Sequence, residues 1–217
     1  MSDTPSQASA RFEPKLLSGP EAIHDAGLIS SLAALWAEAY RGSPVTAQRD
    51  DPLYTADNEA ERMRRIRAEL RRSSAIFAYL MQDADLIGFF WGLSVADLQT
   101  AEPLKGHDVA RFIAHDAEQV AYLSMLGIHP NLTGRGLGKE LTRALCAAFT
   151  ERGFKEAIAR TINDLALEKV YRPLGFEIHQ RFRDPRSGDA ERSIFGSPLP
   201  LPRPRGSVGS FDMDICL

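Results

Sequence analysis

Two stretches of the chain place apolar residues every three or four positions, which is the spacing of one helix face. The first covers residues 28–40 and stops at Gly-Ser-Pro, 42–44. The second covers residues 137–149 and is followed by Gly153, which suits the left-handed conformation that closes many helices. Both stretches are predicted to be helices that pack one face against a core.

A third helical stretch, which begins near residue 58, has a thinner apolar stripe. Asn58 and Glu61 have the spacing of a capping box, and arginines fill many of the positions that follow. A solvated helix face accounts for such an arginine cluster without nucleic acid. We therefore predict a surface-lying helix and assign it no function.

Strand patterns occupy the middle of the chain. Residues 75–80 and 86–95 are β-prone runs separated by a short segment with two aspartates, which favours a hairpin. Residues 121–128, AYLSMLGI, are almost continuously apolar, as a strand covered on both faces must be, and Pro130 ends the run. This run is the predicted central strand.

The other elements follow from shorter patterns. The polar stretch 97–118 predicts a long connection, and residues 156–161 and 176–182 predict strands on either side of a short helix that ends near Tyr171. Residues 211–217, FDMDICL, alternate apolar and polar positions, which predicts a closing strand. As an exposed edge, this strand could pair with a second subunit, so a homodimer stays an option.

This order of elements indicates an α/β domain. We expect a mixed, mainly antiparallel sheet flanked by helices, with residues 1–14 as a loose tail and residues 15–217 as one domain.

The composition narrows the class of protein. With 44% hydrophobic residues, 25% charged residues and a net charge of -3, the chain favours neither disorder nor general attraction to nucleic acid or anionic membranes. No apolar run reaches the ~18 residues of a membrane span, and no signal-peptide pattern opens the chain. Cys146 and Cys216 do not suggest a disulfide framework, so the cytoplasm is the expected location. No residue spacing indicates a metal site.

The segment after the central strand carries the candidate chemistry. Its glycine-rich loop, residues 133–139, contains Gly134, Gly136 and Gly138 at alternate positions and comes just before a predicted helix. The free N–H groups and the dipole of a helix start attract phosphate, and glycine lets an anion approach the backbone closely. Arg135 and Lys139 add positive charge. A diphosphate site is therefore predicted here.

Two common nucleotide motifs do not match this loop. The dinucleotide fingerprint needs G-x-G-x-x-G and an acidic residue about 20 positions further on. A P-loop needs Ser or Thr after Gly-Lys, whereas Glu140 follows Lys139 here. A nucleotide-binding protein stays open as an alternative that would prefer NAD or ATP.

At this point the chain resembles the GNAT family of N-acetyltransferases. After a hydrophobic strand, the family has a six-residue motif that starts with Gln or Arg, has Gly at its fourth position and ends with Gly or Ala. Residues 133–138 of this chain are TGRGLG. Thr133 stands at the Gln or Arg position, where Arg135 is available to replace the lost polar group. A second motif appears as NDLALEKVYRPLGF, with its Asn, Ala, Tyr and Gly-Phe positions in family order. These are Asn163, Ala166, Tyr171, Gly175 and Phe176.

The resemblance implies acetyl transfer from acetyl-CoA to an amine of a small molecule, peptide or protein, without a metal. Backbone groups of the central strand would bind the pantetheine arm in a splay between two strands, the loop would bind the pyrophosphate, and Asn163 would reach the arm. Tyr171 would protonate the departing thiolate. The implied cofactor contacts are Leu126, Gly127, Ile128, Thr133, Gly134, Arg135, Gly136, Leu137, Gly138, Lys139 and Asn163.

The attacking amine must be neutral, so a base or a water chain must accept its proton. Glu118, just before the central strand, is the first choice, and His115, His129 and Asp164 are lesser candidates. Ser124 is interpreted as a small core residue.

The acceptor is expected to enter beside the first helix, the loop 41–57 and the long connection. Asp50, Asp51 and Asp57 could hold a cationic acceptor, although an ordinary acidic surface loop is the favoured explanation. A non-catalytic acyl-CoA sensor stays open as the main alternative to an enzyme.

Overall fold

The computed structural model describes residues 12–41, 59–161, 164–184 and 190–202. Within these residues, seven strands form one sheet in the order β1-β2-β3-β4-β5-β7-β6. The strands are β1 (Lys15–Ser18), β2 (Ile76–Gln82), β3 (Asp85–Ser94), β4 (Val120–Ile128), β5 (Glu156–Thr161), β6 (Glu177–Asp184) and β7 (Ala190–Pro198). Neighbouring strands in this described sheet are antiparallel except for β4 and β5, which run parallel. The predicted mixed, mainly antiparallel α/β fold is confirmed.

Helices cover both faces of the sheet. They are α1 (Gly19–His24), α2 (Ala26–Tyr40), α3 (Glu59–Leu70), α4 (Val95–Ala101), α5 (Pro103–Ala110), α6 (Leu137–Glu151) and α7 (Asp164–Ala166). After α7 the chain continues as a π-helical turn, Leu167–Tyr171, and a 3-10 turn, Arg172–Leu174.

The two long amphipathic helices lie on opposite faces. On α2, buried residues such as Leu32 and Trp36 share a core with Trp91 of β3, and the two indole rings lie 5.6 Å apart. On α6, Leu141 and Phe149 belong to a second core on the other face. We call these the α2 face and the α6 face. Both helices match the stretches predicted from their apolar periodicity.

The predicted arginine-rich helix is present as α3, with Arg64 and Arg67 exposed, but part of its polar face is not solvated. Arg62, Arg65 and Glu69 are all buried. For this part the prediction was wrong because Glu69 supplies a counter-charge inside the core, where Arg65 Nε lies 3.1 Å from its Oε1. Periodicity alone counts such residues as polar and places them outside.

The polar stretch 97–118 is not a structureless connection, because α4 and α5 occupy most of it. The Ser94 side chain caps α4 by accepting a hydrogen bond from Asp97 N at 3.0 Å, and Pro103 starts α5. Leu98 and Val109 are fully buried and anchor the two helices. Each helix is too short to show a helical period in the sequence.

Two strands, β1 and β7, were missed by the pattern analysis. β1 has four residues, and β7 ends at Pro198 inside a segment that its prolines made look irregular. The strand predicted at 211–217 lies outside the described residues, and so does most of the tail predicted at 1–14.

Replacing Gly92 by Ala should destabilise the fold, because a Cβ there would lie 2.7 Å from Tyr122 O and 3.0 Å from the Phe149 ring. We expect a loss of about 1–3 kcal/mol in the free energy of unfolding, measured by urea denaturation. Gly27→Ala in α2 is the control, since its Cβ would meet Asp25 at 3.4 Å, an ordinary contact. Equal effects of the two substitutions would contradict this account of the packing.

Candidate active site

A gap opens between β4 and β5 half-way along their length. The two strands pair from Val120↔Glu156 to Leu123↔Ala159 and no further, although β4 continues to Ile128 and β5 to Thr161. The expected splay between two central strands is therefore present.

Backbone groups of β4 point into this gap. His129 N donates to Ile87 O at 2.9 Å, so that pair is hydrogen-bonded across the β3–β4 ladder. In an antiparallel ladder, hydrogen-bonded pairs alternate with pairs that are not hydrogen-bonded. The N–H and C=O groups of Gly127 therefore point to Phe89, whereas those of Leu126 and Ile128 point away from β3. Leu126 and Ile128 thus offer free-facing backbone groups to a ligand in the gap, whereas Gly127 does not.

Gly127 has a steric role instead. A Cβ at this position would lie 2.4 Å from the Phe89 ring. The residue must therefore be glycine for the phenyl ring to cover β4.

The glycine-rich loop (133–139) lies at the end of the gap. Gly134 and Gly136 have φ values of 79° and 83°, which side chains rarely adopt, and Gly136 is the N-cap of the 15-residue helix α6. A Cβ on Gly138 would point toward Leu126 and Val170, at 3.4–3.6 Å from their methyl groups. The glycines therefore keep a cradle open where the helix start meets the gap, which fits a diphosphate.

Thr133 does not replace the usual Gln or Arg as a side-chain donor to this cradle. Its hydroxyl donates to Pro130 O at 2.9 Å and closes the turn before α6. Arg135 and Lys139 remain the cationic residues of the loop.

Tyr171 comes to the gap from the α6 face. Its ring packs against Phe195 and Phe176, with centroids 4.7 and 5.4 Å apart. Burial is the main reason that its pKa is raised above the ordinary value, and neighbouring Tyr40 adds to the effect. The phenol therefore stays protonated through neutral pH.

Tyr40 reaches the same place from the α2 face, and sequence reasoning missed it. Its hydroxyl donates to Leu126 O at 2.8 Å, on the carbonyl that points into the gap. Tyr40 is the last residue of α2, so in the sequence it had counted only as part of the apolar stripe. Two tyrosines therefore flank the gap, one from each face.

A buried ionic cluster lies under the start of the gap and was also missed. Glu69 accepts hydrogen bonds from Trp91 Nε1 at 2.7 Å, Arg65 Nε at 3.1 Å, Lys105 Nζ at 3.3 Å and the Ser124 hydroxyl. Ser124 is thus a partner of a buried carboxylate rather than a simple core residue. The four donors are too far apart in the chain for any motif to show them.

The cluster holds one carboxylate between two cations. Burial alone would raise the pKa of Glu69, but the charges of Lys105 and Arg65, together with the hydrogen bonds from Ser124 and Trp91, lower it to about 2. Burial, followed by the charge of Arg65, lowers the pKa of Lys105 to about 8. At neutral pH Glu69 is an anion between two cations.

The structure does not bring Glu118 to the gap. Glu118 is exposed and lies in the turn before Val120, the first residue of β4, whereas Leu126 is about 20 Å beyond Val120 along the strand. His115 lies on the same distant side, in a surface groove with Glu156 and His179.

His129 is at the correct end of β4, but both of its ring nitrogens are engaged. Its Nδ1 accepts from Asn131 N at 3.3 Å, and its Nε2 lies 3.4 Å from Glu38 Oε1 of α2. Asn163 lies outside the described residues, as do Asp50, Asp51 and Asp57, and the Asp164 side chain has no described position.

Sequence comparison assigns the chain to a family. The model of the acetyltransferase (GNAT) family matches residues 33–176, which is well over half of the 217 residues. The chain belongs to the GNAT family. It is an acetyl-CoA-dependent N-acetyltransferase that transfers acetyl to an amine. The comparison with curated proteins found no match to the chain.

Solved GNAT structures share the fold at low sequence identity. Phosphinothricin acetyltransferase from Sinorhizobium meliloti, in complex with acetyl-CoA, has 16% identity and a TM-score of 0.59 over 92% of this chain and 96% of its own. PaiA N-acetyltransferase from Thermoplasma acidophilum, with coenzyme A, has 16% identity and a TM-score of 0.55 over 87% and 99%. The ribosomal-protein-S18-alanine N-acetyltransferase from Escherichia coli has 12% identity and a TM-score of 0.53 over 88% and 96%.

The described residues of this GNAT protein offer neither a metal-binding cluster nor a membrane-spanning helix. Among them, no group of three or more His, Cys, Asp or Glu residues is arranged to hold a metal ion. The helices in the same ranges are all too short or too polar for a membrane span.

Replacing Glu69 by Gln should leave Arg65 and Lys105 buried without a counter-charge, at a cost of about 3–5 kcal/mol at pH 7. The folded pKa of Glu69 is lowered from 4.5 to about 2. Its contribution to stability is therefore present above about pH 4.5 and is lost as the pH falls toward 2. The stability difference between wild type and Glu69→Gln should shrink over that interval in urea titrations.

Glu61→Gln on the same helix is the control, because Glu61 pairs with Arg64 at the helix surface. An exposed pair of this kind contributes at most about 1 kcal/mol. The counter-charge role of Glu69 would be refuted if Glu69→Gln were no less stable than Glu61→Gln at pH 7.

Proposed function

We propose that acetyl passes directly from acetyl-CoA to the amine inside the gap between β4 and β5. The carrying observation is that Leu126 and Ile128 turn their backbone groups into this gap, between the loop (133–139) and Tyr171. The Leu126 carbonyl already accepts from the Tyr40 hydroxyl, and the other backbone groups that face the gap need partners. The amide groups of a pantetheine arm can act as those partners, as a missing strand would.

The donor's two ends are held by different parts of the chain. The diphosphate lies on the N-terminus of α6, where the helix dipole and the backbone N–H groups favour an anion. The thioester lies further into the gap, near Leu126, where a backbone N–H can stabilise the developing oxyanion. Asn163, outside the described residues, is retained as a proposed contact to the arm.

The chemistry at the thioester makes one bond and breaks one. The neutral amine nitrogen attacks the carbonyl carbon, and the C–N bond forms as the C–S bond breaks. Sulfur leaves as a thiolate and takes a proton from the Tyr171 phenol, which solvent later replaces. The nitrogen releases its extra proton to water, because Glu118 is out of reach and Glu69 is saturated with donors.

Cys146 shows why a buried phenol suits this step. Cys146 is also on the α6 face, and burial raises the pKa of its thiol to about 12. A thiolate formed in such surroundings is a stronger base than in water. Burial raises the pKa of the phenol as well, so Tyr171 stays protonated and has a proton to donate when the thiolate departs.

The acceptor amine enters from the α2 face, opposite Tyr171. Tyr40 and the pair formed by Glu38 and His129 stand on that side of the gap. This placement leaves the α6 face to the donor. A panel of amines, amino acids and peptides, assayed for thiol release from acetyl-CoA, identifies the acceptor class.

Tyr171→Phe should reduce kcat by roughly 10²–10⁴ because the thiolate loses its proton donor. The affinity for acetyl-CoA, measured by calorimetry, should hardly change, since the loop is intact. Tyr79→Phe on β2, where Tyr79 stacks on Phe77, is the control and should keep wild-type turnover. An unchanged kcat in Tyr171→Phe would remove the phenol from the mechanism.

Gly136→Ala should weaken acetyl-CoA binding by at least about tenfold, because the loop must distort to escape an unfavourable φ. Gly153→Ala is a matched control: its φ of 86° is close to the 83° of Gly136, and a Cβ there meets nothing within 4 Å. Both variants carry similar backbone strain, but Gly153 lies at the far end of α6. Equal Kd values for the two variants would contradict the proposed diphosphate site.

A further inference from the structure

The gap begins at a β-bulge in β4. Gly92 pairs with Leu123 and Trp91 pairs with Met125, so Ser124 is an extra residue with no partner on β3. The side chains of Ser124 and Met125 consequently both lie on the α2 face of the sheet, although neighbouring residues of a regular strand point to opposite faces. A bulge of this kind bends the strand and increases its twist.

The position of the bulge coincides with the end of strand pairing. Leu123↔Ala159 is the last pair between β4 and β5, and Ser124 is the next residue. The bend therefore carries β4 away from β5 and sets the direction of the Leu126 and Ile128 backbone groups.

Glu69 connects the two strands on either side of this bulge. It is fully buried, and its Oε2 accepts both the Trp91 indole N–H from β3 and the Ser124 hydroxyl from β4. Its Oε1 is held by Arg65 and Lys105. A carboxylate fixed from four sides does not act as a base, but it can hold a strand in place.

We propose that Glu69, acting through the Ser124 hydroxyl, is a positioning residue that locks the bulge and so aims the backbone of Leu126 at the thioester. This inference rests on the proposed site in the gap. Glu69 and Ser124 touch neither the donor nor the acceptor, and their effect passes through the β4 backbone.

Ser124→Ala removes the connection and leaves the charges of the cluster in place. We expect kcat to fall at least about tenfold and the Kd for coenzyme A to change less than about threefold, because the thioester is misplaced but the loop is not. Ser124→Thr retains a hydroxyl and should restore kcat to within about threefold of wild type.

Ser74→Ala is the matched control. The Ser74 hydroxyl donates to the Asp97 carboxylate at 2.6 Å and accepts from Ser94 N at 2.9 Å, at the end of β3 where β4 is still paired with β5. This variant loses a comparable hydroxyl–carboxylate bond away from the gap. If it lost as much kcat as Ser124→Ala, general destabilisation would explain both, and the proposal would be overturned.

Amide hydrogen exchange of the protein without ligand supplies a readout independent of activity. Peptides covering residues 120–129 should exchange at least about fivefold faster in Ser124→Ala than in wild type, Ser124→Thr or Ser74→Ala. Unchanged exchange would overturn the proposal, and so would faster exchange with unchanged kcat. If wild type neither binds nor uses acetyl-CoA, the proposed function fails, while the exchange rates still decide whether Glu69 holds the bulge.

Discussion

The structure depends on one constraint: backbone N–H and C=O groups inside a sheet must find partners. The backbone of β4 is paired with β5 only as far as Leu123. Beyond that residue, the N–H and C=O groups that point away from β3 face the gap. The Tyr40 hydroxyl satisfies the Leu126 carbonyl. A donor with an amide-rich arm can pair with the other backbone groups that face the gap. The proposed binding site is therefore the region where the pairing of β4 with β5 stops.

Keeping that gap open requires rigid surroundings on both faces. On the α2 face, a buried anion between two cations joins α3, α5, β3 and β4 through hydrogen bonds to one carboxylate. On the α6 face, the aromatic rings of Phe90, Phe176 and Phe195 surround Tyr171. Different interactions therefore stabilise the two sides of the gap: buried charges on the α2 face and apolar packing on the α6 face.

Local patterns were sufficient for the parts of the site that one segment builds alone. One contiguous segment contains the apolar run of β4, the glycines at 134, 136 and 138, and the start of α6. The conformation of each part follows from its own residue types, so the segment alone predicts it. Tyr171 was predicted because it lies in a motif with fixed spacing. By contrast, Tyr40, Glu69 and Ser124 have no local signal, because what they do depends on partners 86, 22 and 55 residues away.

The sequence by itself determined the order of the long elements, the GNAT resemblance and the loop that suits a diphosphate, because short-range periodicity and backbone preference encode them. The tertiary structure decided where β4 leaves β5, which backbone groups face the gap and which charges are buried. It also separated Glu118 from the site, since strand length, not residue type, puts that carboxylate at the wrong end of β4. Distances between groups remote in the chain arise only when the sheet assembles, and no single segment contains them.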